Sequence, residues 1–106
     1  MSTALVEQRR QRINQMRGIA HNRTIEALKE GRIEWIPKDS FLAECSAVKL
    51  FVRMRVINEY YRSLVSAGIF EENEDGSAFR SREAIKLWEK EKQEHQQQPQ
   101  TKGTQQ

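Results

Sequence analysis

A mostly helical domain carrying one small β-hairpin is the architecture that this sequence of 106 residues predicts. Three features carry that expectation. Residues 52–67 space Val56 or Ile57, Tyr60, Tyr61 and Leu64 at i, i+3, i+4 and i+7. Arg55, Asn58, Glu59, Arg62 and Ser63 fall opposite, which is the pattern of a helix with one apolar face. Gly68 then stands where a helix closes in a left-handed cap, with Ile69-Phe70 just beyond it. After Phe70, an alternating stretch is broken by Asp75-Gly76, a pair that favours a tight hairpin turn.

The totals set the class. Hydrophobic residues make up 37% and charged residues 31%, with a mean hydropathy of −0.84. One small domain with polar extensions fits that balance. The net charge of +3 is a mild basic excess that permits nucleic-acid binding without demanding it. It is unevenly spread, since residues 69–81 hold Glu71, Glu72, Glu74 and Asp75 against Arg80 alone. Cys45 is the single cysteine, which excludes an intramolecular disulfide and fits a reducing compartment. No window resembles a membrane span or a signal-peptide core. The expectation is a soluble cytoplasmic protein, nucleoid-associated when bound to DNA.

In chain order, residues 3 to about 30 read as helix, with Gly18 the one candidate break. Val6, Ile13, Ala20 and Ala27 recur every seven residues, and Met16, Ile19 and Leu28 widen the stripe. Arg9 and Arg23 occupy the intervening core slots, which argues against a regular coiled coil. Arg10, Arg12 and Arg17 add to the basic faces. Residues 1–21 are thus expected as a basic helical extension, serving to line up along phosphates, to pair with a second copy, or simply to be solvated. Gly31 ends the helix. Arg32–Ile36 alternates and is capped by Pro37, the signature of a short edge strand with Trp35 or Ile33 covering the core.

Asp39 or Ser40 is the expected N-cap of the next helix, Phe41 to about Leu50, whose stripe is Phe41, Leu42, Cys45, Val48 and Phe51. Cys45 falls inside that stripe and reads as a buried small hydrophobe. Residues 69–73 and 77–81 are the expected hairpin strands. Ser81 caps a last helix to about Glu94, with Ala84, Ile85, Leu87 and Trp88 as its apolar side. Trp88 needs a surface to cover it, and the N-terminal helix of the same or a second chain suits it. The glutamine-rich residues 95–106 read as a disordered tail.

The order helix, glycine stop, apolar pair and hairpin resembles the second half of a winged helix-turn-helix domain. The resemblance is to the pattern Val-Ser-x-x-Thr-Val-x-x-Tyr-Leu-x-x-Leu-x-x-x-Gly-Leu-Ile, with Val52, Ile57, Tyr60, Tyr61, Leu64, Gly68 and Ile69 in its apolar and glycine slots. Arg53 and Val56 stand where Ser and Thr are common. The resemblance covers about residues 22–81, leaving residues 82–94 as a helix suited to dimerisation. It implies a mostly α fold with a small hairpin wing. Many members also place a glycine just before the Val of the second helix, where this chain has Phe51. The turn is then expected from Lys49, Leu50 and Phe51 in ordinary backbone conformations, with the first helix running longer or the two helices merging.

What the resemblance implies is binding of double-stranded DNA by a transcriptional regulator, with helix 52–67 in the major groove. By position, Arg53, Met54, Arg55, Asn58, Glu59 and Arg62 fall at the groove, with Lys38 and Lys49 toward phosphates. The acidic wing runs against this, so its tip is expected to point away, leaving Arg80 and Arg82 at its base to approach the minor groove. Ile13, Met16, Leu87 and Trp88 are the residues expected to pair two copies. A protein partner at the acidic wing and RNA along the N-terminal helix are the rival readings. His21 and His95 are isolated, and there is no phosphate loop or nucleophile motif, so neither an enzyme nor a cofactor or metal is expected.

Overall fold

The computed structural model describes the backbone of residues 3–32 and 35–105, with side chains to residue 94. Helix α1 spans Thr3–Lys29 without interruption. Its Gln, Arg, Glu, Ala and Met residues are strong helix formers and carry Gly18 through, although a glycine inside a helix costs about 1 kcal/mol. Met16, Ala20, Thr24 and Ala27 form its buried edge, and Ile13 and Ile19 pack beside it. The helix thus runs unbroken across residues 21 and 22. The core reaches back into the expected extension, because the same helix face continues across it.

Both helix ends marked by glycine close in the same way. After α3 (Met54–Ser66), Gly68 adopts φ 78°. Its N–H reaches Val65 O and the N–H of Ile69 reaches Leu64 O, both at 3.0 Å. Gly31, with φ 79°, repeats this arrangement after α1.

The sheet has three antiparallel strands in the order β1-β3-β2, namely β1 (Ile36–Pro37), β2 (Phe70–Glu72) and β3 (Ala78–Ser81). Ile36 pairs with Phe79, and Phe70 with Ser81. Pro37 sits on an edge strand, where its missing N–H is tolerated. Ile36 is the buried member of this segment, and Trp35 only half-buried. The alternation places Trp35 on the far side of the sheet, opposite to expectation, and Ile33 lies outside the described residues. The hairpin turn is tied by Asp75 Oδ1, which accepts from the Ser77 N–H at 3.0 Å and its hydroxyl at 2.6 Å.

Four aromatic rings form the centre. Phe79 meets Phe41 edge-on at 4.9 Å and Tyr61 edge-on at 5.2 Å, with Phe70 tilted against it at 4.8 Å. Ile57, Tyr60 and Leu64 of α3 and Met16 and Ala20 of α1 close around them. The helical period thus selects Ile57 over the half-buried Val56.

Helix α2 is Lys38–Glu44, with Pro37 at its N-cap. Ser40 donates its hydroxyl back to Pro37 O at 3.3 Å rather than capping the helix itself. The chain then widens into a π-helical turn, Cys45–Lys49, closed by Leu50 N–H to Cys45 O at 2.8 Å. One extra residue in that turn rotates the residues after it about the helix axis. Leu50 enters the core, while Val48 and Phe51, expected in the stripe, are 59% and 79% exposed. Cys45 is buried, and burial pushes its thiol up to about 11.

Helix α4 starts at Arg82, capped by Ser81 as expected. The Ala84 N–H donates to Ser81 Oγ at 3.3 Å, the Ser81 N–H to Thr24 Oγ1 at 3.2 Å, and the Thr24 hydroxyl to Ala20 O at 2.9 Å. This buried relay joins α1, β3 and α4. Ala84 is fully buried, whereas Leu87, expected on the packed side, is 41% exposed. The helix continues as backbone to Gln105 rather than ending near Glu94, across Pro99 and Gly103.

Candidate nucleic-acid interface

The outer face of α3 carries Arg55, Asn58, Glu59 and Arg62, all exposed, because the apolar stripe holds the opposite face in the core. Arg55 and Arg62 are seven residues apart, so they share one azimuth about 10 Å apart along the axis. Arg53 is the N-cap residue, with no side-chain cap, and exposed Met54 follows it. Among the described residues, Arg53, Arg55 and Arg62 have no hydrogen-bonding or ion-pair partner.

Beside this face, Lys38, Asn58, Tyr61, Arg62, Ser66 and Glu72 line a shallow cleft between α3, the start of α2 and β2. Glu72 accepts the Tyr61 hydroxyl at 2.7 Å and has Lys38 Nζ at 3.8 Å. Burial, reinforced by Glu72, raises the Tyr61 phenol well above its ordinary value, so it stays a donor. On the other edge, Arg80 donates from Nε to Glu71 at 3.2 Å and lies 4.3 Å over the Trp35 ring. Two of the four acids that oppose DNA are thus matched inside the chain, leaving Glu74 and Asp75 at the hairpin tip.

The predicted residues do not all converge. Lys49 ends the π turn with Nζ 3.9 Å from Glu44. Arg80 is committed to Trp35 and Glu71 and shares a depression with Leu28, Ile85 and Trp88, away from α3. Arg82 lies beside Gly68, at the far end of α3 from Arg53. Of the residues expected to pair two copies, Met16 is fully buried in its own chain, which removes it from an outer surface, and Ile13 is half-buried against that core. Trp88 is half-buried near Leu28 of its own α1, and Leu87 alone remains exposed.

The basic residues of α1 are largely engaged. Arg17 grips Glu83 with two hydrogen bonds of 2.7 Å, which raises the guanidinium value and lowers that of the Glu83 carboxyl. Arg23 pairs with Glu44, lowering that carboxyl too, and lies over Phe41. Arg9 sits 5.7 Å over Tyr60 of α3, and Arg10 is 3.2 Å from Glu7.

Phe51, at the junction where the sequence lacks a glycine, is 79% exposed and holds φ 55°. The left-handed conformation corrects the expected ordinary backbone. The signal was present, since a sharp reversal between two helices contains no glycine between Gly31 and Gly68.

No protein-family model matches the sequence, and the searches of curated proteins and solved structures found no match. Among the described residues no cluster is suited to hold a metal ion, and no helix is long and apolar enough to cross a membrane.

Proposed function

We propose that the chain is a double-stranded DNA-binding protein of winged helix-turn-helix type, a transcriptional regulator that lays α3 in the major groove. The observation that carries this reading is the set of three arginines on α3 and its N-cap, Arg53, Arg55 and Arg62, none satisfied among the described residues of its own chain. Arginine can grip guanine with two hydrogen bonds and Asn58 can do the same for adenine, each pair worth about 1–3 kcal/mol of discrimination. Supporting it are the element order helix, strand, helix, helix, hairpin, and the pairing of β1 with the hairpin. The internal matching of Glu71 and Glu72 reduces the repulsion the hairpin would exert on a phosphate backbone.

The test is binding of the purified chain to mixed-sequence duplex DNA across a range of salt concentrations. Affinity is expected to fall steeply with salt, in proportion to the phosphates neutralised. Absence of binding at low salt sinks this reading and favours a protein-interaction module built on the same surface. A homodimer remains part of the proposal through the exposed apolar residues Leu5 and Val6 on α1 and Leu87 on α4. Light scattering should then return twice the chain mass, and a monomer at high concentration removes the pairing.

A further inference from the structure

Phe51 combines two features that rarely coincide. The residue is 79% exposed, and its backbone holds φ 55°, a conformation that a bulky side chain disfavours. The backbone on either side is clamped. Leu50 N–H bonds to Cys45 O at 2.8 Å, Val52 N–H to Ser46 O at 3.2 Å, and Ser46 Oγ donates to Val52 O at 2.5 Å. The segment is therefore fixed, and it holds the ring in solvent. Strain retained by surrounding structure points to use of the strained residue.

Val48 and Met54, 59% and 39% exposed, are the other large apolar side chains exposed close by in the chain. Arg53 and Arg55 lie within four residues of Phe51, both without partners among the described residues. A flat apolar ring within four residues of two guanidinium groups that lack partners among the described residues matches nucleic acid, which presents planar faces beside negative phosphates.

We propose that Phe51 is a base-stacking element that receives an unstacked nucleobase beside the start of α3, where Arg53 and Arg55 meet the DNA. This rests on the DNA-binding reading. A base inside an intact duplex already has stacking neighbours, so the contact favours DNA with a base out of the stack.

The test compares two probes by fluorescence anisotropy: a fully paired duplex of about 20 base pairs and the same duplex with one bulged adenine. The wild type is expected to bind the bulged duplex about tenfold more tightly. Phe51→Gly and Phe51→Asn both accept a left-handed backbone and should fold with unchanged or raised Tm. Each should lose the bulge preference while keeping the affinity and salt slope for the paired duplex. Equal wild-type affinity for the two probes overturns the stacking role and leaves the DNA reading standing. Failure to bind either probe at low salt overturns both. A wild-type dimer that Phe51→Gly converts to monomer, with no bulge preference, assigns the ring to a second copy and also overturns the proposal.

Discussion

Arginines recur on two helices of this chain, and their fates differ. On α1, Arg17 is bound to Glu83, Arg23 to Glu44 and the face of Phe41, and Arg9 lies over Tyr60. On α3 and its N-cap, Arg53, Arg55 and Arg62 meet no carboxylate among the described residues. The two sets are indistinguishable by residue type. What separates them is the neighbour each meets: α1 crosses α2, α3 and the start of α4, which offer acids and rings, while the outer face of α3 meets solvent. A count of basic residues therefore overstates the unpaired positive charge on α1 and understates how concentrated it is on α3.

The largest effect that breaks or sharpens this contrast is on binding. Arg53→Ala combined with Arg55→Ala should weaken duplex affinity about a hundredfold, at about 1–3 kcal/mol per lost contact, with Tm nearly unchanged. A large Tm loss with intact affinity would invert the assignment of the two helices. Next comes Thr24→Val on α1, which strands the buried Ser81 N–H. It should cost about 1–3 kcal/mol, a Tm decrease of several degrees, with DNA affinity per folded molecule unchanged.

Arg17→Ala should cost less, about 1 kcal/mol, because the pair with Glu83 is partly exposed to solvent. Its pH dependence identifies the mechanism. The folded Glu83 carboxyl lies below its unfolded value, chiefly through the Arg17 hydrogen bonds. The stabilisation is thus present above the unfolded value of about 4.3 and is lost as pH falls through the lower folded value. Wild type and variant should differ in Tm at neutral pH and converge in acid. A gap that persists undiminished at low pH would mean lost packing rather than a lost ion pair.

The smallest effect is expected from Arg9→Ala with Arg10→Ala. Duplex and single-stranded RNA affinities should both change by less than about twofold, since these side chains lie over Tyr60 and beside Glu7. A tenfold loss would move the nucleic-acid surface to α1.

Local pattern alone determined much of this molecule. The 3.6-residue spacing of Ile57, Tyr60, Tyr61 and Leu64 sets which side of α3 is buried, and so which side carries Arg55, Asn58 and Arg62. Gly68 ends that helix where only a residue free at positive φ closes it cheaply. Ser81 caps α4 through its own hydroxyl. These features were legible because each depends on residues within a few positions of one another. Tertiary structure decided the rest. The π turn exchanged Val48 for Leu50 in the core and forced Phe51 into solvent, an outcome of fitting α2 to α3. The bond between Arg17 and Glu83, 66 residues apart, has no local signature. The same holds for Arg80, drawn onto Trp35 and Glu71 by strand pairing. Sequence sets the face a side chain takes on its own element, while the availability of that face depends on which distant segment folds against it.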